Sequence, residues 1–130
     1  MKYILDTNSL NKHLIKRAST RRDVCIIQDV EDEHTSYGSN PSRVRGMEIL
    51  YPVKKHLERL QELLKTEGDN FDIIRLYTGE GTADVMIIAF ILAEREMPDT
   101  LFPDEYTIIT KDKGLTEVAT KYGIACKAVL

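Results

Sequence analysis

Four acidic side chains in this sequence fall where chemistry is commonly built. Asp6, Glu33, Asp84 and Asp112 each follow an apolar run or open an apolar helix. Within a few ångströms of one another, four carboxylates would repel and some would be forced to protonate, unless a hard cation shares them. Mg²⁺ prefers oxygen ligands, keeps several waters and uses a few carboxylates beside a substrate phosphate. An all-Asp/Glu set without His or Cys therefore points to Mg²⁺ or Mn²⁺. His13, His34 and His56 show no paired ligand spacing and read as surface or hydrogen-bonded core residues.

The acids converge only if the elements that carry them share an edge. Five short runs rich in Ile, Val or Tyr are strand candidates: Lys2 to Leu5, Val24 to Gln28, Phe71 to Tyr77, Tyr106 to Thr110 and Ile124 to Val129. Their KYIL, VCII, FDII and TIIT cores are largely apolar, as strands covered on both faces require. Helical spacing marks Asn8 to Lys16, Ser42 to Lys65, Thr82 to Glu96 and Lys113 to Lys121. Leu57, Leu60, Leu63 and Leu64 form a one-sided stripe in the second of these, which Pro52 divides. Asp32 to Ser42 and Arg95 to Asp104 read as loop-rich excursions.

This alternation predicts an α/β fold with a parallel sheet. There the carboxyl ends of the strands and the starts of the following helices lie along one edge. Asp6 directly follows the first strand, Asp112 lies two residues past the fourth, and Asp84 sits in the first turn of the helix after the third. Glu33 lies five residues past the second strand, with Glu31 as its competitor. Taken singly, each acid has a plainer role. Asp84 suits a first helical turn capped by Thr82, Asp112 suits a turn in Thr-Lys-Asp-Lys-Gly, and Glu33 suits the solvated face of the run Asp29 to Glu33. Only Asp6, between an apolar strand and Thr7-Asn8-Ser9, is unusual by itself, so the functional reading rests on the shared edge.

With 130 residues, 42% hydrophobic and 30% charged, the chain is long enough for one core without disulfides or a structural metal. The apolar stretch Val85 to Ala93 is too short to span a bilayer, and MKYILDTNS lacks a signal-type apolar region, so the expected location is cytoplasmic. A net charge of −3 excludes a protein that coats nucleic acid through a broad basic surface, but not one that cuts it. Lys16, Arg17, Arg21 and Arg22 lie late in or just after the first predicted helix, and Lys111 and Lys113 flank Asp112, so positive charge can approach the acids from more than one side.

The opening YILDTNSL, the segment GTADVMIIAFIL and the closing YTIITKDKGLTEVATKYGI resemble three motifs of the PIN domain family, specifically the small toxins of type II toxin–antitoxin systems. The second motif is matched by Val30 followed three residues later by Glu33. The resemblance implies one PIN-like domain over residues 1–130, a three-layer α/β/α fold with a five-stranded parallel sheet in the order 3-2-1-4-5. It implies that Asp6, Glu33, Asp84 and Asp112 are metal-binding catalytic acids, supported by Asn8 and Thr110. The expected activity is Mg²⁺- or Mn²⁺-dependent hydrolysis of RNA. An antitoxin whose tail occupies the acidic edge is the expected partner, and a homodimer is left open.

That strand order separates Cys25 from Cys126 by three strand spacings, roughly 14 Å, so both should be free thiols. A receiver domain would want an acidic pair after its first strand, and a haloacid-dehalogenase-type phosphatase would want D-x-D. Asp6 is instead followed by Thr7 and Asn8. Glu80 reads as a helix-start acid, and the G-x-G of Thr78 to Thr82 is weak support for nucleotide binding. Two alternatives share the fold: a non-catalytic PIN-like module that binds RNA or protein, and an RNA-processing nuclease without an antitoxin.

Overall fold

Four-residue runs with no polar alternation have to be buried on both faces, and that is where they are found. In the computed structural model, β2 (Val24–Ile27) and β4 (Tyr106–Ile109) are buried at every position. The structure describes residues 1–6, 10, 12–36, 47–67 and 82–130, the side chains of 12, 13, 33–36, 67 and 82 excepted. β1 (Lys2–Leu5) lies between β2 and β4, with Ile4 opposite Cys25 on one side and Ile108 on the other. β3 (Glu48–Leu50) pairs with β2, and β5 (Ala125–Lys127) pairs with β4. Every pair is parallel and the order is β3-β2-β1-β4-β5, as expected.

The helices are α1 (Lys12–Ala18), α2 (Gln28–Ser36), α3 (Lys54–Glu67), α4 (Thr82–Glu96) and α5 (Lys113–Lys121). Helices flank the parallel sheet in a three-layer arrangement, and α4 packs against α2, α3 and α5. From Val85 to Ala93 every side chain of α4 is buried, because it lies between the sheet and its neighbours α3 and α5. Each buried Ile or Leu there contributes about 1.5–3 kcal/mol of transfer free energy. Among the described residues no helix is long and apolar enough to cross a membrane.

Three local readings change. The third strand of the sheet is Glu48–Leu50, inside the stretch that helical spacing had covered; three residues are too few to show a period of two. Phe71 to Tyr77 lies outside the described residues. Asp32 to Ser36, the first part of the stretch read as loop-rich, is helix, because α2 starts directly where β2 stops and Val30, fully buried, anchors it; residues 37–42 lie outside the described residues. The helix after Pro52 does begin at Lys54, but its inward position is taken by His56, 3% exposed, while Leu57 faces solvent.

α5 ends in a way that fixes the start of β5. Gly123 adopts φ +71°, a conformation that favours glycine, and its N–H donates to the Thr120 carbonyl (3.0 Å) while that of Ile124 donates to the Ala119 carbonyl (2.9 Å). Arg95, near the end of α4, donates to the Tyr122 and Gly123 carbonyls at 3.1 and 3.0 Å. The carboxyl ends of α4 and α5 are thus tied together. Phe90, edge-on to Tyr106 at the start of β4, places the later part of α4 at the amino edge of the sheet. Both helices therefore begin at the opposite, carboxyl edge.

Candidate active site

β1 and β4 end on a register pair, Leu5 and Ile109, so the next residues, Asp6 and Thr110, leave the sheet side by side. Asp6 is completely buried. Its N–H donates to the Ile109 carbonyl (3.3 Å), and the Thr110 N–H donates to the Lys127 carbonyl (2.8 Å), so backbone pairing holds both residues just past the strand ends. The Thr110 hydroxyl donates to Asp6 Oδ2 and accepts from the Asp112 N–H at 3.0 Å. One buried hydroxyl thus joins the Asp6 carboxylate to the backbone of Asp112.

Asp112 is the N-cap of α5: its Oδ1 accepts from the Leu115 N–H at 2.9 Å, and its carbonyl accepts from the Thr116 hydroxyl at 2.8 Å. Gly114 leaves room for this, since a Cβ there would come within 3.3 Å of Asp112 Oδ1. The structure shows the capping role of Asp112, which uses one carboxylate oxygen. Asp84 is partly buried in the first turn of α4, at the same edge. The helix start favours a carboxylate there.

Glu33 lies within α2 but its side chain is outside the described set, and Asn8 is outside it as well. Glu31 carries the informative geometry: its Oε2 is buried without a hydrogen-bond partner. Beside it, burial pushes the Asp29 carboxyl above the usual range, with the charge of Asp32 adding to the effect. α2 packs against α4, and both helices start at the carboxyl edge. An orphaned carboxylate oxygen was not readable in the run DVEDE, where five adjacent polar and apolar letters give no sign of which acid turns inward.

Among the described residues, no three His, Cys, Asp or Glu side chains are positioned to hold one ion together. The residues that could hold one are Asp6, Asp112, Asp84 and Glu31. They offer oxygen only, and a Mg²⁺ site needs one or two carboxylates plus water and phosphate. The unpartnered Glu31 Oε2 fits that donor set, because a buried carboxylate oxygen is costly unless a cation or proton shares it.

Both cysteines are free thiols, as the strand order requires. Burial pushes the Cys25 thiol up to about 12, and burial also raises that of Cys126, which the Thr116 hydroxyl offsets in part. His56 is a hydrogen-bonded core residue: Nδ1 accepts from the Val53 N–H at 2.8 Å and Nε2 lies 2.7 Å from Glu94 Oε1, so neither nitrogen is available at the acidic edge. No model of a known protein family matches this chain, and no curated protein matches it.

Proposed function

We propose that the chain is a divalent-metal-dependent nuclease that hydrolyses RNA phosphodiesters, with its active site at the carboxyl edge of the sheet. The observation that carries this reading is the Asp6–Thr110–Asp112 linkage, which spends a buried hydroxyl on fixing a fully buried carboxylate beside a second strand-end acid. Thr110 orients Asp6, the Asp112 N–H orients Thr110, and the α5 cap holds Asp112 in place. Asp84 adds a carboxylate from the start of α4, and Glu31 is the fourth acid in preference to Glu33. A bound Mg²⁺ or Mn²⁺ supplies a polarised water and neutralises charge on the phosphoryl oxygens.

The resemblance of YILDTNSL, GTADVMIIAFIL and YTIITKDKG to PIN-domain toxins supports RNA as substrate, an antitoxin protein as partner and a cytoplasmic setting, which also suits two unpaired thiols. A second reading is a PIN-like module that binds RNA or protein without cutting it.

Cleavage of mixed single-stranded RNA separates the two. Wild type with Mn²⁺ should cut and EDTA should stop it, while Asp6→Asn should lose at least about 100-fold in rate, roughly 2.7 kcal/mol of barrier, with an unchanged melting curve. Full activity in Asp6→Asn, or cleavage indifferent to EDTA, contradicts the proposal. Glu31→Gln and Glu33→Gln run in parallel identify the fourth acid, with the larger loss expected at Glu31.

A further inference from the structure

Next to the acids, the carboxyl edge carries an open cavity of about 330 Å³, lined by Thr110, Lys111, Lys113, Thr116, Cys126 and Lys127, with Glu117 at its wall. It has room for about ten waters at ~30 Å³ each. All three lysines are exposed, and none pairs with a carboxylate among the described residues. Elsewhere Lys2, Lys54, Lys55 and Arg59 each lie within 4.0 Å of an acid, whereas Lys16, Arg22 and Lys65 form no ion pair among the described residues; what sets Lys111, Lys113 and Lys127 apart is that all three line one cavity. Three lysines around one cavity outnumber its single lining carboxylate, Glu117, and an anionic ligand relieves the remaining repulsion.

The lysines also form a direction. Lys111 and Lys113 flank Asp112, and Lys127 stands on β5, the outer strand of the sheet. The Lys127 ammonium lies 5.5 Å from the Tyr3 ring centroid, and the Arg21 guanidinium lies 5.3 Å from the same ring. Asp23 pairs with Arg21 at 2.7 Å, so the unpaired cationic charge runs from Lys111 and Lys113 beside the acidic edge, along the cavity, to Lys127 on β5.

We propose that this cavity is a phosphate subsite for single-stranded RNA, holding a backbone phosphate adjacent to the one presented at Asp6. It rests on the nuclease reading of the acidic edge and adds the path by which the strand reaches it. The polynucleotide approaches across β5, with Lys111, Lys113 and Lys127 each neutralising phosphate charge. Lysine suits this role as a point charge on a flexible stem, giving affinity without sequence selection.

The test measures binding in EDTA, where cleavage is silent, using a fluorescein-labelled RNA of about twelve nucleotides, within the usual single-strand site size. The full-length wild type is compared with Lys111→Gln/Lys113→Gln/Lys127→Gln and with a control, Lys54→Gln/Lys65→Gln, on α3. Each lost phosphate contact should reduce the slope of log affinity against log salt by about 0.7, so the triple variant should lose about 2 from the slope while the control keeps it. An unchanged slope in the triple variant overturns the proposal, as does RNA that fails to bind wild type. Inorganic phosphate that displaces RNA at equal concentration overturns it in favour of a free-phosphate site, and poly-glutamate with the same lysine dependence overturns it in favour of an acidic peptide. Parallel cleavage with Mn²⁺ keeps the two proposals apart. Lysine-dependent binding without cleavage removes the nuclease reading and keeps the subsite, whereas cleavage with an unchanged salt slope does the reverse.

Discussion

The two edges of the sheet solve the problem of charge in opposite ways. At the amino edge, charges are paired. Lys2 contacts Glu48 at 2.7 Å and Asp104 at 3.4 Å, Lys55 contacts Glu94 and Asp99, and Arg59 contacts Glu96. The hydrogen bond to Glu48 holds the Lys2 ammonium well above the usual lysine range. His56 donates from Nε2 to Glu94 and stacks on Phe90 at 4.2 Å, which meets Tyr106 edge-on. At the carboxyl edge, a buried Asp is held by a neutral hydroxyl, a glutamate oxygen is buried without a partner, and three lysines share a cavity with one carboxylate, Glu117, without forming an ion pair among the described residues. In the proposed reading, one end of this molecule is built for stability and the other keeps charge available for a ligand.

The most forceful way to break that contrast is at the amino edge. Phe90→Ala removes the ring between His56 and Tyr106 in the buried helix α4 and should cost about 3–5 kcal/mol in denaturant unfolding. Cleavage per folded molecule should be unchanged. A large activity loss at full folding would mean that the two ends are not separable.

A smaller effect sharpens the comparison within Asp112 itself. Asp112→Ala should lose the α5 cap, about 1 kcal/mol of stability, together with activity. Asp112→Asn keeps a capping oxygen and should lose activity alone. Equal activity in Asn and wild type would leave Asp112 a cap only.

The smallest expected effect concerns alkaline pH. Burial pushes the Cys25 thiol and the Tyr106 phenol each up to about 12. In the unfolded chain they release protons near their ordinary values, about 8.5 and 10. Between about pH 9 and 12 the unfolded state therefore binds fewer protons than the folded one, and stability falls as pH rises. Urea midpoints should decline over that window, and less so in Cys25→Ala. A wild-type midpoint constant from pH 8 to 11 would contradict the burial of both groups.

Much of this arrangement is legible in the residues. VCII and YTII announce strands buried on both faces, and Lys113–Lys121 announces α5 by its apolar spacing and the Gly-Ile that follows. Asp6 and Asp112 are readable because a parallel sheet sends every strand end to one edge. What is not legible depends on long-range packing. β3 has three residues and owes its existence to β2, and α2 has a single deeply buried anchor in Val30. Glu31 is distinguished from Asp29 and Asp32 only by which oxygen the fold buries, and Lys127 joins Lys111 and Lys113 only once β5 pairs with β4.

The central claim is that the carboxyl edge binds a divalent cation through Asp6. Thermal unfolding of wild type and Asp6→Asn with and without Mn²⁺ tests it directly. At Mn²⁺ concentrations one hundred times the dissociation constant, one-site binding should add about 2.7 kcal/mol to wild type and nothing to Asp6→Asn. A melting temperature that Mn²⁺ raises equally in both proteins, or in neither, would contradict the account.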